Sequence, residues 1–441
     1  MGLGSHWMKR AVARLRPRGE LWHNQDFRRL WAAQSVSQFG SQITGLALPL
    51  VAILVLDAST FEVAVLAVVD WMPFFLFSLP AGVWIDRLPR RPILIAADLG
   101  RAAVLSSIPL AYLLDALTLG QLYLVGLLAG TFTVFFDLSY QSYLPSLVRR
   151  DELGEGNSKL EVSRSGAQVA GPGIAGLLVS ALTAPYAILV DAISFLGSAV
   201  LLARISRRER TPERPAAGQP PFLTEIHQGL RFVLRHPLLR PIVIFVGVSN
   251  VFVTMLFAIY LVYAVRDLGL DATTIGLIFS LGSLGSLVGA LTATRVARAF
   301  GTGPGLIGVA TVGGLGLTLI PLASGPLVIP FLIAGNVLWG FFVLNYFVSA
   351  ISLIQAITPE RLLGRTNASR RFLVQGVIPV GAFLGGALGS ALGLRPTIAV
   401  GAIGASLAVI PLIFSPLRLV KTTNDAENLV RDYNESFAVA Q

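Results

Sequence analysis

Residues 62–114 read EVAVLAVVDWMPFFLFSLPAGVW, then IDRLPRR, then PILIAADLGRAAVLSSIPLAYLL. Two long apolar stretches flank seven residues that hold four charges. A bilayer core takes about 20 residues of helix, and inside it every backbone amide needs an internal partner. The stretch therefore reads as two spanning helices joined by a charged turn. The same grammar extends outward in both directions. Windows of this kind lie near 30–56, 62–85, 93–114, 119–147, 160–182 and 184–204. After a polar gap come 239–264, 273–297, 304–323, 326–354, 371–392 and 396–416. Twelve spans, six plus six, predict an all-α polytopic membrane protein. Its parts are an N-terminal six-helix bundle (1–204), a linker with an amphipathic helix (205–238), and a C-terminal six-helix bundle with a tail (239–441).

Composition agrees. Of 441 residues, 54% are hydrophobic and 13% are charged, against about 25% charged in soluble domains. Mean hydropathy is +0.71. This excludes a soluble enzyme, a disordered chain and a coiled coil. No alternating segment of about ten residues suggests a barrel strand. There is no cysteine. His6, His23, His227 and His236 lie outside the apolar windows, so neither a metal site nor a cofactor is expected. The basic N-terminus lacks the apolar core of a signal peptide.

Lys and Arg predict the orientation. With both termini cytoplasmic, 31 of the 34 fall on inside ends and loops. The outside loops keep Arg266 and Arg395, and Arg101 lies within the third helix. This asymmetry marks membrane orientation rather than a nucleic-acid footprint, and no nucleic-acid partner is expected.

The halves also repeat. Residues 153–202 and 363–412 align without gaps at fifteen of fifty identical positions. These include Gly166/Gly376, Gly171/Gly381 and Gly176/Gly386. Parallel repeats place a substrate site at their interface, near mid-membrane. In the linker, Ile226, Leu230, Val233 and Leu234 predict an amphipathic surface helix that stops at His236-Pro237.

The turn Gly82-Val-Trp-Ile-Asp86-Arg87-Leu-Pro-Arg90-Arg91 resembles the signature loop of the major facilitator superfamily, with Pro89 where that loop has a second Gly. Further stretches are similar to its macrolide-efflux and siderophore-exporter branch: Asp26-Phe-Arg-Arg-Leu-Trp31, Asp98-Leu-Gly-Arg101, Val190-Asp-Ala-Ile-Ser-Phe195, and Gly229 through His236-Pro237. The resemblance implies two six-helix bundles in a bacterial cytoplasmic (inner) membrane. It also implies a gating role for Gly82, Asp86, Arg87, Arg90, Arg91, Asp98 and Arg101. Gly166, Gly171, Pro172 and Gly176 in helix five resemble the Gly-Pro motif of antiporters, and small residues at this spacing also pack helices closely.

Ionisable groups within spans are costly and mark candidate function. They are Asp70, Asp98, Arg101, Asp137, Arg164 and Asp191, all in the first half. Asp98 and Arg101, three residues apart, are expected to pair about 8 Å inside the cytoplasmic end. Asp137, then Asp70 and Asp191, are the proton-coupling candidates, with Arg164 or Arg101 as possible counterions for Asp137. Gln34, Gln38 and Gln42 form a polar stripe on helix one. With Tyr140, Asn250, Asn336, Trp339 and Asn345 they are the candidates for lining a substrate cavity. The reading that follows is a monomeric secondary exporter of small amphipathic organic molecules, driven by proton antiport across the lipid bilayer. The alternative on the same fold is a lipid or lysophospholipid flippase. No nucleophile–base pair or Walker loop supports an enzyme or an ATP-driven pump.

Overall fold

The computed structural model describes residues 20–85, 88–207 and 222–439. Asp86 and Arg87 of the signature turn lie outside the described residues, as do residues 208–221 of the inter-bundle linker. The described residues contain twelve helices long and apolar enough to cross a membrane. In chain order they are α1 (Gln25–Leu54), α2 (Thr60–Ile85), α3 (Arg90–Leu113), α4 (Leu119–Leu147), α5 (Leu153–Leu182) and α6 (Ala184–Ala203). The second half has α7 (Leu239–Val262), α8 (Ala272–Phe300), α9 (Thr302–Leu317, continuing as Leu319–Leu322) and α10 (Val328–Ile357). It ends with α11, in two segments (Glu360–Gln375 and Ile378–Leu392), and α12 (Leu394–Leu407, then Ile410–Ile413). A linker helix (Phe222–Arg235) and a tail helix (Thr423–Val439) lie on one membrane face, called the linker face below.

Several helices start earlier than hydropathy places them. α1 begins at Gln25, α5 at Leu153 and α11 at Glu360, rather than near 30, 160 and 371. The extra turns are charged, so an apolar window passes over them. A 30-residue helix such as α1 is about 45 Å long, well beyond a hydrocarbon core of about 30 Å. Asn24 caps this extension, its carboxamide oxygen accepting from Asp26 N at 3.0 Å and Phe27 N at 3.1 Å.

These charged turns clamp the N-terminal bundle at the linker face. The Asp26 carboxylate accepts from the backbone N–H of Ser206 (2.9 Å) and Arg207 (3.0 Å), just past α6. Arg29 donates to the Arg204 carbonyl. Arg91 Nε donates to Leu202 O at 3.0 Å, so the signature arginine ties α3 to the end of α6. The bond to Leu202 O satisfies a carbonyl that the end of α6 leaves open.

The bundles meet most closely at the opposite, far face. A Cβ added at Gly176 on α5 would overlap Ala272 O on α8, and one at Gly276 on α8 would overlap Pro172 O on α5. The repeat-related contact joins α11 and α2, where a Cβ at Gly386 would fall 2.5 Å from Ala64 Cβ. Across the same face Arg266 Nη2 donates to Asp57 Oδ1 at 2.7 Å and to Ala58 O at 2.9 Å. Thr273 Oγ1 donates to Ser180 Oγ at 2.9 Å. The far face is closed.

The linker helix docks on protein rather than lipid. Phe232 and Val233 are fully buried, and Leu234 is 45% exposed. The buried face is thus rotated from the predicted stripe, which counted Leu234 and left out Phe232. A Cβ at Gly229 would overlap Ser369 Oγ on α11. His236 Nδ1 accepts from Leu238 N and Leu239 N, both at 3.1 Å, and so caps α7. Its ring stands edge-on to Phe232 and to Tyr433 of the tail helix. The linker helix, tail helix and C-terminal bundle share one apolar core.

Candidate functional site

Two cavities lie between the bundles. The first has a volume of about 350 Å³ and is lined by α1, α2, α3, α4 and α6, with one wall from α7. Its α1 face is Ser41, Thr44, Gly45 and Leu48, spaced by three, one and three residues along one side of a helix. Its α2 face is Leu66, Ala67, Asp70, Trp71 and Phe74, and Phe257, Ala258 and Leu261 close it from the C-terminal half.

Three ionisable residues reach this cavity. Asp70 is exposed to it. Ten residues into α2, it sits about 15 Å from the far end, near mid-membrane. Asp191 is buried and held by hydroxyls: Thr44 Oγ1 donates to Oδ2, and Ser194 Oγ donates to Oδ1 at 3.0 Å. It bonds side chains of α1 and α6 rather than helix backbone. Arg101 forms a buried ion pair with Asp98. Its guanidinium carbon lies 4.4 Å from the Phe136 ring centroid and 4.0 Å from that of Phe195, a desolvated cation–π sandwich. The expected pairing is present, and Arg101 also forms part of the cavity wall.

The second cavity, about 510 Å³, lies where α1, α5, α7, α8 and α10 meet. Gln42, Gln168, Ser283 and Ser286 supply its polar groups, and Pro172, Phe257 and Leu261 lie among its apolar walls. Gln42 packs on Gly171, where a Cβ would fall 2.5 Å from Gln42 Cγ. Gly171 thus gives room to a cavity side chain, whereas Gly176 closes the bundles together. Nothing lies within 4 Å of a Cβ at Gly166.

The remaining candidates divide. On the α1 stripe Gln42 reaches a cavity, Gln38 is half-buried and Gln34 is buried among helices. Asn250 Nδ2 donates to Val374 O at 2.8 Å and braces α7 against α11. Asn336 Nδ2 donates to Tyr260 Oη (3.1 Å) and Leu332 O (2.8 Å), and Asn345 Nδ2 to Gly289 O (3.1 Å). Trp339 packs on Phe342 with ring centroids 4.9 Å apart. These four hold helices together and line neither cavity. Asp137 is half-buried and lines neither cavity. Tyr140 stacks on Phe136, the ring beneath Arg101. Arg164 is 49% exposed and paired with Glu161 at 3.1 Å, so it acts on Asp137 from the surface rather than as a buried partner. Gly82 lies near the linker-face end of α2. Sequence reasoning missed Thr44, Trp71, Phe195 and Phe257. Thr44 shares the α1 face of Ser41, three residues away, and that spacing was the available signal.

The profile of the transmembrane secretion effector family matches residues 21–440. The enterobactin exporter EntS of Salmonella typhi is 28% identical over 399 residues, covering 88% of this chain and 91% of that exporter. The multidrug efflux pump Tap of Mycolicibacterium fortuitum is 26% identical over 373 residues, covering 81% and 88%. Among solved structures, a bacterial homologue of the iron transporter ferroportin in its inward-facing state superposes with a TM-score of 0.69 at 20% identity, covering 88% of this chain and 98% of that one. The nucleoside transporter NupG carrying a D323A substitution gives 0.73 at 10% identity, covering 88% and 99%.

Proposed function

This chain belongs to the transmembrane secretion effector family, among the major facilitator transporters, and on that premise we propose that it is a proton-coupled secondary exporter of amphipathic organic molecules. Membership makes it a multi-pass membrane transporter of small organic substrates and not an enzyme. The observation that carries the rest is the first cavity. Two carboxylates, Asp70 and Asp191, meet there against aromatic walls drawn from both bundles.

The geometry suits antiport. The linker face is the cytoplasmic one on the Lys and Arg asymmetry, so closure at the far face is the inward-facing state. A substrate with a cationic or polar group and an apolar body enters beside Asp70, with Trp71, Phe74 and Phe257 against its apolar part. The ionised carboxylate holds that group, and release outside lets a proton take its place. Asp191, held by Thr44 and Ser194, is the second proton site. Asp137 stands as a third, on the linker side of the cavity in the field of Arg101 and Arg371.

The test is transport in proteoliposomes with an imposed pH gradient. The substrate panel contains a cationic dye, a macrolide, a catecholate siderophore and a lysophospholipid. Gradient-dependent accumulation of one or more of the first three is expected. Movement of the lysophospholipid alone replaces the reading with a flippase, and accumulation indifferent to the gradient removes proton coupling.

A further inference from the structure

We infer that the second cavity is a separate, uncharged hydrogen-bonding subsite for the neutral polar part of the substrate, such as an ester, an amide or sugar hydroxyls. The inference rests on the exporter reading and extends it to substrate class. The two cavities share a wall of Gly45, Phe257 and Leu261 but differ in chemistry. Asp70, Arg101 and Asp191 line the first, and among the described residues no charged side chain lines the second. Each is large enough for a drug-sized fragment.

Three features fit the second cavity to neutral polar groups. The amides of Gln42 and Gln168 have no partner among the described residues, and each offers both donors and an acceptor. Ser283 Oγ already donates to Phe279 O at 3.0 Å, so it faces the cavity as an acceptor. Pro172 lacks the N–H that would bond the carbonyl four residues earlier. That carbonyl belongs to Gln168, so the helix proline removes its i+4 helical partner beside the amide that lines the cavity. An ionised group would meet no countercharge here and pay full desolvation. A hydroxyl- or amide-bearing group finds matched partners, and a site built this way discriminates against analogues that lack them.

The absence of cysteine makes the test direct. Gln168→Cys reports on the second cavity and Ala67→Cys on the first, by alkylation with N-ethylmaleimide in proteoliposomes. The probes are erythromycin, rich in hydroxyls, and ethidium, a planar cation with none. Erythromycin is expected to slow alkylation at Gln168→Cys, and ethidium only at Ala67→Cys. In the same vesicles Gln168→Leu should weaken erythromycin binding about threefold to tenfold and leave ethidium unchanged. Protection by erythromycin at Ala67→Cys alone, or equal protection of both cysteines by ethidium, overturns the subsite. Transport of both compounds by the unsubstituted protein without protection at Gln168→Cys overturns the subsite and leaves the exporter reading standing. Absence of both transport and protection removes the exporter reading for such compounds, and the subsite with it.

Discussion

Gly176 on α5 and Gly386 on α11 occupy equivalent places in the two repeats, and each seals the far face against the opposite bundle, Gly176 on Ala272 and Gly386 on Ala64. Parallel repeats related by an axis along the membrane normal require this exchange of partners. Closure is therefore built from backbone contact at two symmetric points. Opening the far face must part both together.

A methyl at either point opposes closure. Overpacking of this kind costs about 1–3 kcal/mol, which shifts a two-state equilibrium about 5- to 150-fold. Gly176→Ala and Gly386→Ala should each raise the rate at which an impermeant thiol reagent, added at the far face, labels Thr44→Cys in the first cavity. Gly166→Ala is the control, since nothing lies within 4 Å of its added methyl. Equal labelling in all three variants would show that the glycines do not set the gate.

The ion pair across the same face should matter less. Asp57 is 96% exposed, and exposed pairs contribute about 0–1 kcal/mol. Asp57→Asn should change far-face labelling by less than about fivefold. Arg266→Ala should do more, because it also removes the bond to Ala58 O. If Asp57→Asn outdoes Gly176→Ala, charge rather than packing holds the gate.

Inside the N-terminal bundle the balance reverses. The Asp98–Arg101 pair is buried, with side chains 0% and 6% exposed, and breaking such a pair costs about 3–5 kcal/mol because one charge stays behind. Asp98→Asn should lower the thermal transition of the purified protein, and adding Arg101→Gln should restore part of the loss. A double variant less stable than Asp98→Asn would show that Arg101 braces the bundle through Phe136 and Phe195 alone.

At the linker face the sensitive group is His236. Burial holds its pKa near 3, well below 6.5. The undocked state therefore binds a proton that the docked state refuses. Docking stability is full above about pH 6.5 and falls by about 1.4 kcal/mol per pH unit as pH drops toward 3. Protease cutting of the tail helix should rise over that range. His236→Asn keeps an acceptor for the α7 cap but does not titrate, so it should flatten the profile. An unchanged profile would place the pH dependence elsewhere.

The span count and the pairing of bundles were legible in the sequence because hydropathy sums over about 20 residues and the repeat sums over fifty. Helix ends were not, since Asp26, Glu155 and Arg365 belong to helices but lie outside the apolar windows. The cavities were half legible. Asp70, Asp191 and Gln42 stand out as polar groups in apolar helices, but so do Asn250, Asn336 and Asn345, which bond neighbouring helices. A polar residue in a span must be satisfied, and sequence does not say whether a substrate or a carbonyl satisfies it. The linker face was misread for a related reason: an amphipathic stripe shows that one side of a helix is covered, not what covers it.

The proton-coupling reading divides the three carboxylates by position. Asp70 faces the first cavity without a bonded partner among the described residues, so its charge is available to a substrate. Asp191 shares the cavity but is committed to Thr44 and Ser194. Asp137 lies outside both cavity linings and close to Arg101. Asp70→Asn should therefore still exchange substrate across the membrane but fail to accumulate it when a proton gradient is imposed. Asp191→Asn keeps one acceptor oxygen and donates its amide N–H to the other hydroxyl, so it should reduce accumulation while leaving exchange and binding near normal. Asp137→Asn should reduce accumulation and leave exchange near normal, whereas a slowing of both would show that the residue only braces the bundle. Each variant is scored by the ratio of gradient-driven accumulation to exchange, which a general folding defect does not change. If all three retain the full ratio, the driving force does not enter through these carboxylates and the protein is a facilitator or is coupled elsewhere.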